Sequence, residues 1–95
     1  MRDYELVTIF RPDIADENLG AVTDRLGQWI VAQGGEVTKV DLWGRRRMAY
    51  PIRDFRDGNY VLTQLRLEAR GTNELERSLK LSEDVLRYLL VRIGD

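Results

Sequence analysis

The stretch Glu36-Val37-Thr38-Lys39-Val40-Asp41-Leu42-Trp43-Gly44-Arg45-Arg46-Arg47-Met48-Ala49-Tyr50-Pro51-Ile52 is long for a single strand, and Trp43-Gly44 interrupts its alternation as a bulge or sharp bend does. Two strand halves joined by a kink are expected. Pro51 cannot donate to a hydrogen-bond ladder, which places this strand at an edge of its sheet. Asp54 to Gly58, ending on Asp57-Gly58, carries turn chemistry, and Tyr60-Val61-Leu62-Thr63-Gln64-Leu65-Arg66-Leu67 follows as a second strand. The two strands form a hairpin.

Toward the amino terminus, Tyr4-Glu5-Leu6-Val7-Thr8-Ile9-Phe10 is rich in β-branched and aromatic residues and is stopped by Arg11-Pro12-Asp13, so it reads as a strand. Leu19, Val22, Leu26 and Ile30 then form one stripe at helical period. Asp13 or Asp16 is placed to cap that helix, and Gly34-Gly35 to end it through a left-handed residue. Beyond the hairpin, Gly71-Thr72 opens a short helix carrying Leu75 and Leu79. Ser82-Glu83-Asp84 separates it from a last strand, Val85 to Ile93. The order β-α-β-β-α-β predicts an α+β, ferredoxin-like domain over residues 1–95, a four-stranded antiparallel sheet with two helices on one face.

One alternating set of strand residues must point at the helices: Leu6, Thr8 and Phe10 with Val61, Thr63, Leu65 and Leu67. The opposite set, Val7, Ile9, Tyr60, Leu62, Leu89 and Val91, is more apolar than a solvated sheet face requires, so a partner is expected to cover part of it.

At 43% hydrophobic and 33% charged, 95 residues can build one core but not two. No run of 18 apolar residues exists and the chain enters a strand pattern directly, so a cytoplasmic protein without membrane attachment is expected. With neither cysteine nor histidine, thiolate nucleophiles, sulfur metal sites and the commonest general base are all missing. Ser78 and Ser82 have no histidine to activate them, no glycine loop cradles phosphate, and Asp54 and Asp57 lie among Arg53 and Arg56 as solvated ion pairs do. No enzymatic activity, metal, cofactor or small-molecule substrate is expected.

The net charge of −1 supplies no long-range attraction to nucleic acid, so any RNA contact must be local. Basic residues are 13 Arg against 2 Lys, a bias suited to bidentate phosphate contacts. Alternation puts Arg45 and Arg47 on one face of their strand and Arg46 on the other, flanked by Trp43 and Tyr50, whose rings can stack on bases or guanidinium groups. The same arginines can also guard a free edge against pairing with copies of itself.

Met1-Arg2-Asp3-Tyr4-Glu5, the Gly34-Gly35 stop, Trp43-Gly44 followed by arginines, Met48-Ala49-Tyr50-Pro51-Ile52, Gly58 with Tyr60, and Leu79 through Arg87 together resemble the bacterial small-subunit ribosomal protein six family nearly end to end. The resemblance implies a structural role in the small ribosomal subunit and binding to the central domain of 16S ribosomal RNA together with ribosomal protein eighteen. It implies a partner surface on the second strand, mapped here to Asp41, Trp43, Arg45, Arg46, Arg47 and Tyr50, and RNA contacts at Arg2, Arg87 and Arg92. The sequence ends at Asp95, short of the extended or acidic tail that some members carry. Two other readings share the strand order. An ACT-like regulatory domain would bind a small molecule between paired domains, and an acylphosphatase-like enzyme would need a glycine-rich loop where Arg11-Pro12-Asp13-Ile14 stands.

Overall fold

The computed structural model describes residues 1–94; Asp95, where the sequence ends, lies outside the described residues. Strand β1 runs Arg2–Phe10, helix α1 Asp16–Ala32, β2 Glu36–Ile52, β3 Phe55–Leu67, α2 Thr72–Leu81 after a short 3-10 turn at Ala69–Gly71, and β4 Val85–Ile93. The sheet order is β2-β3-β1-β4 and every pairing is antiparallel, the expected ferredoxin-like arrangement with β2 and β4 as its edges. No helix among the described residues is long and apolar enough to cross a membrane.

The core forms where the alternating strand set meets the helical stripes. Leu6, Phe10, Val61, Leu65 and Leu67 are buried against Leu26 and Ile30 of α1 and Leu75 and Leu79 of α2. Thr8 and Thr63 share that face, as expected from their strand positions. Thr8 is fully buried and its hydroxyl has no hydrogen-bond partner among the described residues. An unpaired buried hydroxyl costs about 1–3 kcal/mol, so Thr8→Val, which keeps the branched shape, is expected to stabilise the fold by about 1 kcal/mol. A higher urea midpoint at unchanged slope is the sign to look for. A lower midpoint would mean that the hydroxyl has found an acceptor.

Gly34 and Gly35 end α1 as expected. Gly34 takes φ 80°, its N–H donates to the Val31 carbonyl at 2.9 Å, and the Gly35 N–H donates to the Ile30 carbonyl at 3.0 Å, the two bonds of a Schellman motif. The start of the helix differs from expectation. Ala15 occupies the cap position without a side-chain bond, and neither Asp13 nor Asp16 caps. Asp13 instead pairs with Arg11 at 2.8 Å. Hydrogen bonding from that guanidinium holds the Asp13 carboxyl below its usual range. Asp16 and Glu17 serve the helix through its dipole, as acidic residues of the first turn.

The hairpin also departs from expectation. Its turn is Arg53-Asp54, both with positive φ, 51° and 67°, closing the Ile52–Phe55 pair as a two-residue connection of type I′ character. Asp57 and Gly58 lie inside β3, opposite Arg47 and Arg46. Gly58 is there for space, since a Cβ would sit 2.2 Å from Ile9 Cγ2.

Strand β2 has 17 residues, which would reach about 56 Å if straight, yet the longest dimension of the molecule is 36 Å. The strand therefore curls. Register shifts between Val37 and Lys39, between Leu42 and Gly44, and between Arg47 and Ile52 absorb the bend, and Gly44 takes φ 83°. The curl carries Met48 onto the open face over Gly58 and Ile9. Ile9 is thus only 8% and Met48 only 7% exposed. This corrects the expectation for that face: the chain covers Ile9 itself, while Leu89 and Val91 stay 55% and 43% exposed.

Candidate RNA and partner interface

The outer side of β2 pairs with no strand among the described residues. Its charged residues divide by face as their alternation requires. Asp41 stands opposite Leu62 and Arg46 opposite Gly58, both on the open face. The Trp43 indole N–H donates to Asp41 Oδ2 at 3.3 Å, and the Arg46 guanidinium lies over the Trp43 ring, 5.3 Å from its centroid. These three residues form one exposed unit in which a ring steadies a cation that keeps its charge.

Arg45 and Arg47 face the helix side. Arg45 Nη2 donates to the Pro12 carbonyl at 2.6 Å, and buried Asn59, opposite Arg45, donates to the Arg11 carbonyl at 3.0 Å. Together they pin the β1–α1 loop. Arg45, a partner-surface candidate by sequence, therefore has part of its donor capacity engaged within the chain. Arg47 is opposite Asp57 but makes no ion pair with it within 4.0 Å.

The curl brings Tyr50 to β4, where Arg87 Nη1 donates to the Tyr50 hydroxyl and the guanidinium sits 5.9 Å from the ring centroid. Arg53, at the hairpin tip, donates to the Glu83 carbonyl at 3.1 Å and ties the turn to the loop before β4. Two shallow clefts flank this junction. One, of about 150 Å³, is lined by Arg47, Met48, Tyr50, Pro51 and Arg56; the other, of about 160 Å³, by Val7, Ile9, Arg87, Tyr88 and Leu89.

The three RNA candidates are not brought together as a set. Arg87 stands opposite Ile9 on the open face, whereas Arg92 is opposite Tyr4 on the helix side, about 17 Å further along the strand. Arg2 shares the helix-side face and the end of the sheet with Arg92. Reading the sequence missed Arg53 and Arg56 as members of the hairpin's cationic end. Their placement depends on the turn position, which the sequence signal at Asp57-Gly58 obscured.

Of the 13 arginines, only Arg11, Arg25 and Arg66 have a carboxylate within 4.0 Å among the described residues. Arg45, Arg46, Arg47, Arg53, Arg56 and Arg87 lie toward the hairpin-tip end of the sheet, Arg45 and Arg47 on its helix side and Arg46 and Arg87 on its open face, steadied where they are steadied by carbonyls, a hydroxyl or aromatic rings. Such neutral acceptors orient a guanidinium without cancelling its charge. The surface can therefore be locally cationic although the chain's net charge is −1. No cluster of three or more residues suited to hold a metal occurs among the described residues.

Residues 3–92 match the family model described as Ribosomal protein S6. The chain is 48% identical over 95 residues to small ribosomal subunit protein bS6 of Moorella thermoacetica, covering 100% of this chain and 97% of that protein. With the bS6 protein of Desulforamulus reducens it shares 37% identity over 95 residues, all of both chains. Among solved structures, the 30S ribosomal protein S6 of Thermotoga maritima superposes with a TM-score of 0.90 at 27% identity, covering 97% of this chain and 87% of that one. The C-terminal domain of the MgtC protein from Mycobacterium tuberculosis, at a TM-score of 0.63 and 12% identity, shares the fold alone. Family membership thus decides between the readings that share this strand order, and the chain belongs to the ribosomal protein S6 family, whose members are structural, non-enzymatic components of the small ribosomal subunit.

Proposed function

We propose that this chain, acting as one domain, binds the central domain of 16S ribosomal RNA together with small-subunit ribosomal protein eighteen. The partner lies along the free edge of β2 at Asp41, Trp43, Arg45, Arg46, Arg47 and Tyr50, and the RNA meets Arg2, Arg87 and Arg92. The observation that carries this reading is the open edge itself, a 17-residue strand with one unpaired side whose arginines lack carboxylate partners among the described residues. Guanidinium forks left free in this way suit phosphate or carboxylate groups on a second molecule. A pull-down from purified small-subunit components tests the reading: one small basic protein and a central-domain RNA fragment should be retained together. Retention of neither sinks it.

The charge balance adds a quantitative expectation. At a net charge of −1 the isolated chain should bind the RNA feebly, because few phosphates can be neutralised by it alone. Each further phosphate contact supplied with the partner adds roughly 0.7 to 0.9 to the log–log salt slope. The ternary complex should therefore show a steeper salt dependence than the binary one in filter-binding titrations. Tight, steeply salt-dependent binding by the isolated chain would contradict this.

A further inference from the structure

Tyr50 lies on the strand proposed to meet the partner, and Arg87 on a strand proposed to meet RNA. The curled hairpin joins them across the open face, from one edge of the sheet over β3 and β1 to the other edge, through the hydrogen bond to the Tyr50 hydroxyl and the cation above its ring. We propose that Tyr50 is a positioning residue that holds the Arg87 guanidinium toward an RNA phosphate and thereby couples partner docking on β2 to RNA binding on β4. This rests on the reading of Arg87 as an RNA contact given above.

Four features support it. No carboxylate lies within 4.0 Å of Arg87 among the described residues, so the group that orients it leaves its full charge available. A guanidinium has five N–H donors in a rigid fork, and a single bond to a hydroxyl leaves enough of them for a bidentate phosphate contact. The contact also does little for the fold, because Tyr50 is 55% exposed and Arg87 is exposed as well. Next to the guanidinium, Val7, Ile9 and Leu89 give the cleft an apolar floor on which a sugar or base adjoining that phosphate can rest.

The coupling has a direct consequence. Anything that fixes the end of β2 also fixes Tyr50, and with it the direction of Arg87, so a bound partner lowers the ordering cost that RNA binding would otherwise carry.

The test is a double-mutant cycle on the protein loaded with purified ribosomal protein eighteen and titrated with a transcribed central-domain fragment. Tyr50→Phe keeps the ring and removes the hydroxyl; Arg87→Ala removes the cation; Arg87→Lys keeps the charge without the fork. Arg87→Ala should weaken RNA binding about tenfold and Tyr50→Phe about three- to fivefold, with Arg87→Lys between them. The double variant Tyr50→Phe with Arg87→Ala should bind no more weakly than Arg87→Ala alone. Melting temperature should stay at the parental value in Tyr50→Phe, and at saturating partner the variant should lose most of the gain in RNA affinity that partner loading brings to the parent, which separates positioning from a structural role. Additive losses, or parental RNA binding by Tyr50→Phe beside a weakened Arg87→Ala, overturn the coupling and leave the RNA reading intact. Loss of partner affinity in place of RNA affinity in Arg87→Ala identifies a partner carboxylate as the anion and overturns it too. Parental RNA binding by Arg87→Ala removes Arg87 from the RNA surface, and the coupling with it.

Discussion

Gly58→Ala is expected to destabilise the protein by about 1–3 kcal/mol, although alanine is intrinsically better than glycine in a strand by roughly 0.5–1 kcal/mol. The new methyl group would lie 2.2 Å from Ile9 Cγ2, 3.3 Å from the Phe10 carbonyl oxygen and 3.7 Å from Met48 Sδ. The carbonyl is backbone at the end of the inner strand β1 and needs to give only a few tenths of an ångström, whereas Ile9, far closer, must turn away. Ile9 is 8% exposed because Met48 lies over it, and turning it lifts the curled end of β2 from the open face. The lost stability should therefore appear with a loss of the Tyr50–Arg87 contact, read as a more mobile Tyr50 ring by NMR. A cycle with Ile9→Ala checks the cause. Each single change is destabilising, one by crowding and the other by leaving a void, while the pair restores the volume. A coupling of about 1–2 kcal/mol in denaturant midpoints is expected. Strict additivity would show that the crowding lies elsewhere.

Gly58 also marks where reading the sequence reaches its limit. Regular alternation and helical stripes depend on local chemistry, so β4 begins and ends at Val85 and Ile93 as expected, and the core-facing set from Leu6 to Leu67 is buried as expected. Asp57-Gly58 looks like a turn because that pair commonly makes one, whereas Arg53-Asp54 carries no such signature. Only the packing of Ile9, 49 positions away, reveals that the glycine is needed for closeness and not for a positive φ. The same limit applies to the candidate surface. The division of Arg45, Arg46 and Arg47 between two faces follows from strand alternation and was legible. The engagement of Arg45 with Pro12, and the meeting of Tyr50 with Arg87 across 37 positions, were not, since both depend on how a strand too long to be straight bends over its own sheet.

Strand β2 should tolerate loss of its arginines as a folding unit while losing its selectivity for partners. Arg46 and Arg47 are exposed and have no carboxylate within 4.0 Å among the described residues, so replacing both with valine removes no ion pair from the fold. A strand with one free side and flatter, apolar faces is a template for another copy, and the two charges now oppose that pairing, because in an antiparallel dimer like charges would meet and lose water. Exposed Val40 and Leu42 on the same strand would extend the apolar surface of the variant. The Arg46→Val, Arg47→Val variant should therefore self-associate, seen as a concentration-dependent rise in sedimentation coefficient that the parent lacks. Partner binding should weaken by about 1–3 kcal/mol, roughly five- to over a hundredfold, if complementary charges on ribosomal protein eighteen meet these residues. Arg77→Val on α2, remote from the β2 edge, should do neither. Sedimentation of each variant alone followed by calorimetric titration with the partner separates the two effects. A double variant that stays monomeric and binds as tightly as the parent would move the docking site off the β2 edge, leaving the open face around Val7, Leu62 and Leu89 as the surface to examine next.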